Sequence, residues 1–127
     1  MNTRNPKIRI LTPGDEALLE RFLLPRKESS LFLLSNLRRA GLSDHGQRGQ
    51  GTYFAALEDG EVVAVVGHFW NGNIIVQAPE YAAALTAAAR RATGRPLARL
   101  LGPADQVESA LRALPVQSLE FDAREIL

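Results

Sequence analysis

Cysteine is absent from this 127-residue chain, which excludes disulfides, thiolate nucleophiles, Cys-ligated zinc and iron–sulfur clusters. Histidine is nearly as scarce. His45 and His68 are the only two, too few for a multi-histidine metal site, and no metal is expected. No apolar run approaches the roughly 20 residues needed to span a bilayer. The amino terminus, Met-Asn-Thr-Arg-Asn-Pro-Lys, lacks the apolar core of a secretory signal. These absences predict a cytoplasmic protein without a membrane partner. Charge of one sign is missing too: 15 Lys and Arg against 14 Asp and Glu leave a net of +1. That argues against a nucleic-acid partner, although Arg90, Arg91, Arg95 and Arg99 cluster along the chain. What is present, 46% hydrophobic and 23% charged residues over the length of one ordinary domain, fits a single globular unit spanning 1–127.

Order along the chain predicts a mixed α/β fold. Lys7–Leu11 alternates as a short strand, and Thr12-Pro13-Gly14-Asp15 offers a cap, a first-turn proline and an early carboxylate for a helix. Leu18, Leu19, Phe22 and Leu23 give that helix its apolar face, and Pro25 stops it. Ser29 or Ser30 caps a second helix with Leu31, Leu34 and Leu37 on one face, ended by Arg38, Arg39 and Gly41. Residues 42–52 carry three glycines and read as a surface loop. Tyr53–Leu57 and Glu61–Trp70 form an antiparallel hairpin about Glu58-Asp59-Gly60. The second of these strands, with Val62, Ala64 and Val66 on one side and Val63, Val65 and Phe69 on the other, is central and covered on both faces. Asn71-Gly72 predicts a two-residue hairpin into Asn73–Val76.

Pro79 and Glu80 open a third helix whose stripe is Tyr81, Leu85, Ala88 and Ala92. Leu97–Leu101 is a strand reached by a crossover long enough to make it parallel to its neighbour. A fourth helix spans Ala104–Leu114, and Ser118–Asp122 is a last strand candidate.

This succession, with a helix after the third strand of an antiparallel meander, resembles the GNAT superfamily of acyl-CoA-dependent N-acyltransferases. The phrases Ser29–Gly41 (SSLFLLSNLRRAG), Gln50-Gly51-Thr52-Tyr53, His68-Phe69-Trp70-Asn71-Gly72 and Gln77-Ala78-Pro79 look like the amino-terminal half of bacterial tandem-GNAT proteins. In those, a degenerate half precedes one that binds the acyl-CoA. The resemblance implies a GNAT-like fold, a mostly antiparallel sheet flanked by about four helices and lacking the carboxy-terminal strand. It also implies a phosphate loop of the form Gln/Arg-x-x-Gly-x-Gly/Ala before the third helix, where backbone N–H groups hold the coenzyme's pyrophosphate. Gln77-Ala78-Pro79-Glu80-Tyr81-Ala82 stands there. Gln77 and Ala82 fit the pattern, but Glu80 replaces the central glycine and Pro79 removes an N–H donor. A carboxylate and a phosphate charge about 4 Å apart repel by about 4 kcal/mol at a surface-like dielectric. No cofactor is therefore expected on this chain, and acetyl-CoA is implied for a catalytic partner half.

The Arg99–Ala104 stretch also satisfies the pattern, but Arg99 falls inside a strand and Pro103 removes a donor. A working acetyltransferase often uses a tyrosine on the fourth helix as general acid, and Ala104–Leu114 contains none. No catalytic residue is assigned. His68, the one polar residue in its apolar strand, is suited to proton transfer but has no orienting carboxylate nearby in sequence. With Asn36, Arg39, Trp70 and Asn71 it forms the candidate ligand or interface set. His45, in the glycine-rich loop, reads as solvated. The leading expectation is a non-catalytic GNAT-like half that shapes the substrate site of a carboxy-terminal GNAT catalytic half, or that pairs as a homodimer. The alternatives are a stand-alone N-acetyltransferase with an atypical coenzyme site, and a small-ligand or interaction module with a pocket lined by His68, Trp70 and Asn36.

Overall fold

In the computed structural model, which describes residues 5–114, the strands pair in the order in which the chain makes them. β1 (Lys7–Ile10), β2 (Gly51–Glu58), β3 (Glu61–Phe69) and β4 (Ile74–Gln77) run antiparallel, and β5 (Leu100–Leu101) lies parallel to β4. β3 is the middle strand, as its two apolar faces require. Asp59 and Gly60 both take positive φ, +53° and +80°, so the β2–β3 connection is the mirror-image turn whose twist matches paired strands.

Two details of the hairpins differ from expectation. Ala56 pairs with Ala64 but Leu57 pairs with Val62, which leaves Val63 as the extra residue of a β-bulge. The bulge turns Val62 to the side of Val65 and Phe69, and Val63 to the side of Ala64 and Val66. Strict alternation had assigned these two valines to the opposite faces. The β3–β4 connection has three residues, Trp70–Gly72, rather than two. Gly72 N–H bonds to Phe69 C=O, Phe69 N–H bonds to Asn73 C=O, and only Gly72 has positive φ. That is the three-residue loop closed by a left-handed glycine. Asn71 stays outside the left-handed region, and its side-chain oxygen accepts from Asn73 N–H at 3.1 Å. Trp70 falls just beyond the strand end.

Helices α1 (Glu16–Leu23) and α2 (Leu31–Ala40), joined through a 3-10 turn at Leu24–Arg26, cover one face of the sheet. Leu19, Phe22, Leu23, Leu33, Leu34 and Leu37 pack there on Tyr53, Ala55, Val65, Phe69 and Ile75. α3 (Ala82–Thr93) and α4 (Ala104–Leu111) cover the other face, with Leu85, Ala89 and Val107 against Phe54, Ala64, Val66, Ile74 and Val76. The cap of α1 is Asp15, not Thr12, whose N–H instead donates to the Asp15 carboxylate.

The buried face of α3 is Ala82, Leu85, Thr86 and Ala89, one position round from the expected stripe, because the helix begins at Ala82 and leaves Tyr81 outside. On α2 the buried set is Leu33, Leu34 and Leu37, while Leu31 is 63% exposed. β5 is shorter than the expected Leu97–Leu101. Ala98 N–H is drawn to Gly72 C=O and Arg99 C=O to Ile74 N–H, so 97–99 follows the β3–β4 turn and pairing proper starts at Leu100. A Cβ on Gly72 would stand 2.7 Å from Pro96 O, so this crossing needs glycine for space as well as for φ. The candidate strand Ser118–Asp122 lies outside the described residues.

Candidate functional site

The segment from β4 into α3 is where the resemblance would put a phosphate loop, and its first two positions after Gln77 offer no free donor. Ala78 N–H points inward and donates to Gln106 Oε1 from α4 at 2.7 Å, in a buried bond. Pro79 has no N–H. Tyr81 adopts left-handed φ/ψ of +66° and 16°, a conformation costing a non-glycine residue about 1–3 kcal/mol. Its phenol donates to the Glu58 carboxylate, which anchors the turn to the end of β2.

Glu80 is exposed in this loop and precedes the helix by two positions; the expected first-turn acid is replaced by Ala82-Ala83-Ala84. The three pattern residues do not converge. Strand alternation turns Gln77 toward the α1/α2 layer, where it is buried. Ala82 packs in the α3/α4 core, and Glu80 faces solvent. Gln106 was invisible to the sequence reading because its partner is 28 positions away. Gln106→Leu strands the buried Ala78 N–H and is expected to cost about 1–3 kcal/mol, measured by denaturant unfolding.

The second pattern match, Arg99–Ala104, closes on itself as well. A Cβ at Gly102 would stand 2.6 Å from Val76 O, so the backbone there is already packed against β4.

His68 projects from β3 toward α3 and is fully buried. Its Nδ1 lies 2.8 Å from Thr93 Oγ1, and Nε2 has no hydrogen-bond partner among the described residues. Burial pushes the imidazole pKa below its ordinary value and the Arg95 charge adds to this, against the opposing carbonyls of Pro96, Ala89 and Gly72. The lowered pKa favours the neutral ring near neutral pH, and no part of the side chain reaches the surface.

Around it lies a polar clasp that the sequence did not reveal. Arg95 Nη1 donates to His68 C=O at 2.8 Å, and Arg95 Nη2 donates to Asp44 Oδ1 at 2.7 Å. Thr52 Oγ1 and Gly46 N–H donate to the same carboxylate. Burial alone would raise the Asp44 pKa; Arg95, Thr52 and Gly46 together hold it below the ordinary value. The clasp ties the glycine-rich 42–50 loop to β2, β3 and the end of α3. His45 in that loop is exposed, with its N–H donating to Gln50 Oε1 at 2.7 Å.

The other candidate residues stand apart from His68. Asn36 is half-buried on α2, on the opposite side of the sheet, and Arg39 on the same helix bonds Ser35 Oγ at 3.0 Å. Trp70 and Asn71 sit in the exposed β3–β4 turn. The apolar opening lies elsewhere. β5 pairs with β4 at Ile74 and Ile75, and past Gly102 the chain leaves the sheet for α4 while β4 continues to Gln77. The notch so formed, between Ile75, Leu101, Pro103 and the start of α2 at Leu31 and Phe32, has a volume of about 420 Å³. Among the described residues no group of three or more His, Asp or Glu side chains is disposed to hold a metal ion, and no helix is long and apolar enough to cross a membrane. Comparison with protein-family models, with curated proteins and with solved structures yields no match to this chain.

Proposed function

We propose that this chain is a GNAT-like domain without acyl transfer of its own, one that covers or shapes the substrate site of a catalytic half carrying the acetyl-CoA. The observation that supports this reading is the occupied 77–81 loop. Of the amides a pyrophosphate would need, Ala78 N–H is taken by Gln106 and Pro79 has none, and Glu80 adds a negative charge to the same loop. Anion binding at a helix start requires convergent free N–H groups, and here the chain removes two of them, one by the Gln106 bond and one by proline. His68, the nearest candidate for a proton-transfer group, is sealed in the core behind Thr93 and Arg95. Calorimetric titration of the chain with acetyl-CoA is expected to give heats of dilution only. Micromolar binding would overturn the reading in favour of a stand-alone N-acetyltransferase.

A second reading, a small-ligand module, draws support from the 420 Å³ notch. Its lining is mostly apolar, with Glu28 and Ser29 at one side, which suits a short aliphatic or aromatic ligand bearing one hydrogen-bonding end.

A further inference from the structure

Leu31 was expected on the buried face of α2 and is instead its most exposed apolar residue, with Phe32 beside it 52% exposed and Leu24 43% exposed. Single exposed leucines are ordinary, but large apolar side chains gathered on one surface mark interaction sites. Two depressions meet at Leu31. One is the notch described above; the other lies along the 3-10 turn and α2, with Leu24, Leu31 and Leu34 as its apolar lining and about 600 Å³ of volume.

The second groove is edged by three cations, Lys27, Arg38 and Arg39, and among the described residues no carboxylate lines it. Arg38 meets Glu20 at 3.4 Å. Among the described residues Lys27 and Arg39 enter no ion pair, and Arg39 bonds only the Ser35 hydroxyl.

We propose that the Leu24–Leu31–Leu34 groove seats a protein segment carrying aliphatic anchors and carboxylates, laid along α2 as an amphipathic helix lies in a groove. The leucines supply the desolvated contact, and Lys27 and Arg39 select the sign of the partner and its direction along the groove. An anionic bilayer shares part of this chemistry. Glu28 at the adjoining notch and Glu20 beside Arg38 flank the cationic strip with carboxylates, which a broad anionic plane would meet and a narrow segment avoids. The groove is separate from the 77–81 loop, so its occupancy is independent of whether acetyl-CoA binds there.

The test is an NMR titration of the full ¹⁵N-labelled chain with a synthetic helical peptide bearing leucines at i, i+3, i+4 and i+7 and glutamates elsewhere. A counterpart with lysine in place of each glutamate serves as the second probe. The acidic peptide is expected to give saturable shifts at Leu24, Lys27, Leu31, Leu34 and Arg39, and the lysine peptide none. Lys27→Glu with Arg39→Glu, and separately Leu31→Ser, are each expected to weaken binding by about tenfold. Because these side chains are exposed, far-UV circular dichroism should be unchanged in both variants. The proposal is overturned by equal binding of the two peptides, by no saturable shift, or by shifts centred elsewhere. It is also overturned if phosphatidylserine vesicles engage the same residues more tightly than the acidic peptide, or if the same amides broaden with protein concentration alone, which would mark a self-association face.

Discussion

Replacing Arg95 with methionine is expected to destabilise the fold by about 3 kcal/mol, because it leaves the Asp44 carboxylate enclosed with no counter-charge. Asp44 is only 10% exposed at its side chain and Arg95 21%, so water can restore little of the lost solvation. The same substitution removes the donor to His68 C=O in the middle of the sheet. Asp44→Asn placed on top of Arg95→Met should recover a large part of the loss, since an uncharged amide costs much less to bury than an unpaired carboxylate. Urea unfolding of the two single variants and the double variant forms the thermodynamic cycle that isolates this coupling.

The dependence on pH carries an independent sign. Asp44 has a folded pKa below the ordinary carboxylate value, so its contribution is complete above that value and is lost as pH falls through the lower, folded one. His68 acts in the same direction. Its folded pKa is depressed, so below the ordinary histidine range the unfolded chain takes up a proton that the folded chain refuses. The native protein should lose stability on acidification, first from about pH 6.5 through His68 and then below about pH 4 through Asp44. In Arg95→Met the hydrogen bond and charge of Arg95 are gone and burial is opposed only by Thr52 and Gly46, so the Asp44 pKa rises relative to the native chain and protonation costs the variant less. Its deficit against the native chain should therefore shrink in acid.

The parts legible in the sequence are those set by neighbours in the chain. Asp59-Gly60, Gly41 and Pro25 marked real ends of elements, because a positive φ or a missing N–H acts within a residue or two. The five strands and four helices were placed in the right order for the same reason, their periodicity being local. The Val63 bulge was not legible. Val62–Val66 is apolar on both faces, so no alternation is there to reveal a one-residue shift, and the extra residue exists only relative to the pairing with β2.

The candidate site was legible in part. His68 stood out as a polar residue in an apolar strand, and Glu80 and Pro79 as departures from the loop pattern that the resemblance implies. Their surroundings were not, since Gln106 meets Ala78 across 28 positions and Arg95 meets Asp44 across 51. A buried polar contact between distant segments leaves no periodic trace; in sequence Asp44 and Arg95 look like any solvated loop charges. Leu31 misled for the converse reason. Helical spacing says which residues share a face but not where along the helix that face leaves the core, and here Leu34 and Leu37 are buried while Leu31, in the first turn, is not.

Phe69→Ala should be the most damaging single change, costing about 3–5 kcal/mol. The ring is 1% exposed and meets Tyr53 edge-on, with centroids 5.4 Å apart and planes at 84°. It lies flat along its sheet face, in space left by two glycines. A Cβ on Gly51 would stand 2.5 Å from Phe69 Cδ1, and a Cβ on Gly67 would stand 2.6 Å from Phe69 Cε2. The Gly67 side of the ring also borders Leu33 of α2, at 3.5 Å from that same added Cβ.

Two consequences separate this packing from simple loss of hydrophobic area. Gly67→Ala, which adds a methyl group and removes nothing, should still cost about 1–3 kcal/mol because the ring has nowhere to move. Combining it with Phe69→Leu should cost less than the sum of the two changes, since the shorter side chain vacates the added methyl's space. Additive losses in thermal or urea unfolding would mean that the glycines serve the backbone alone.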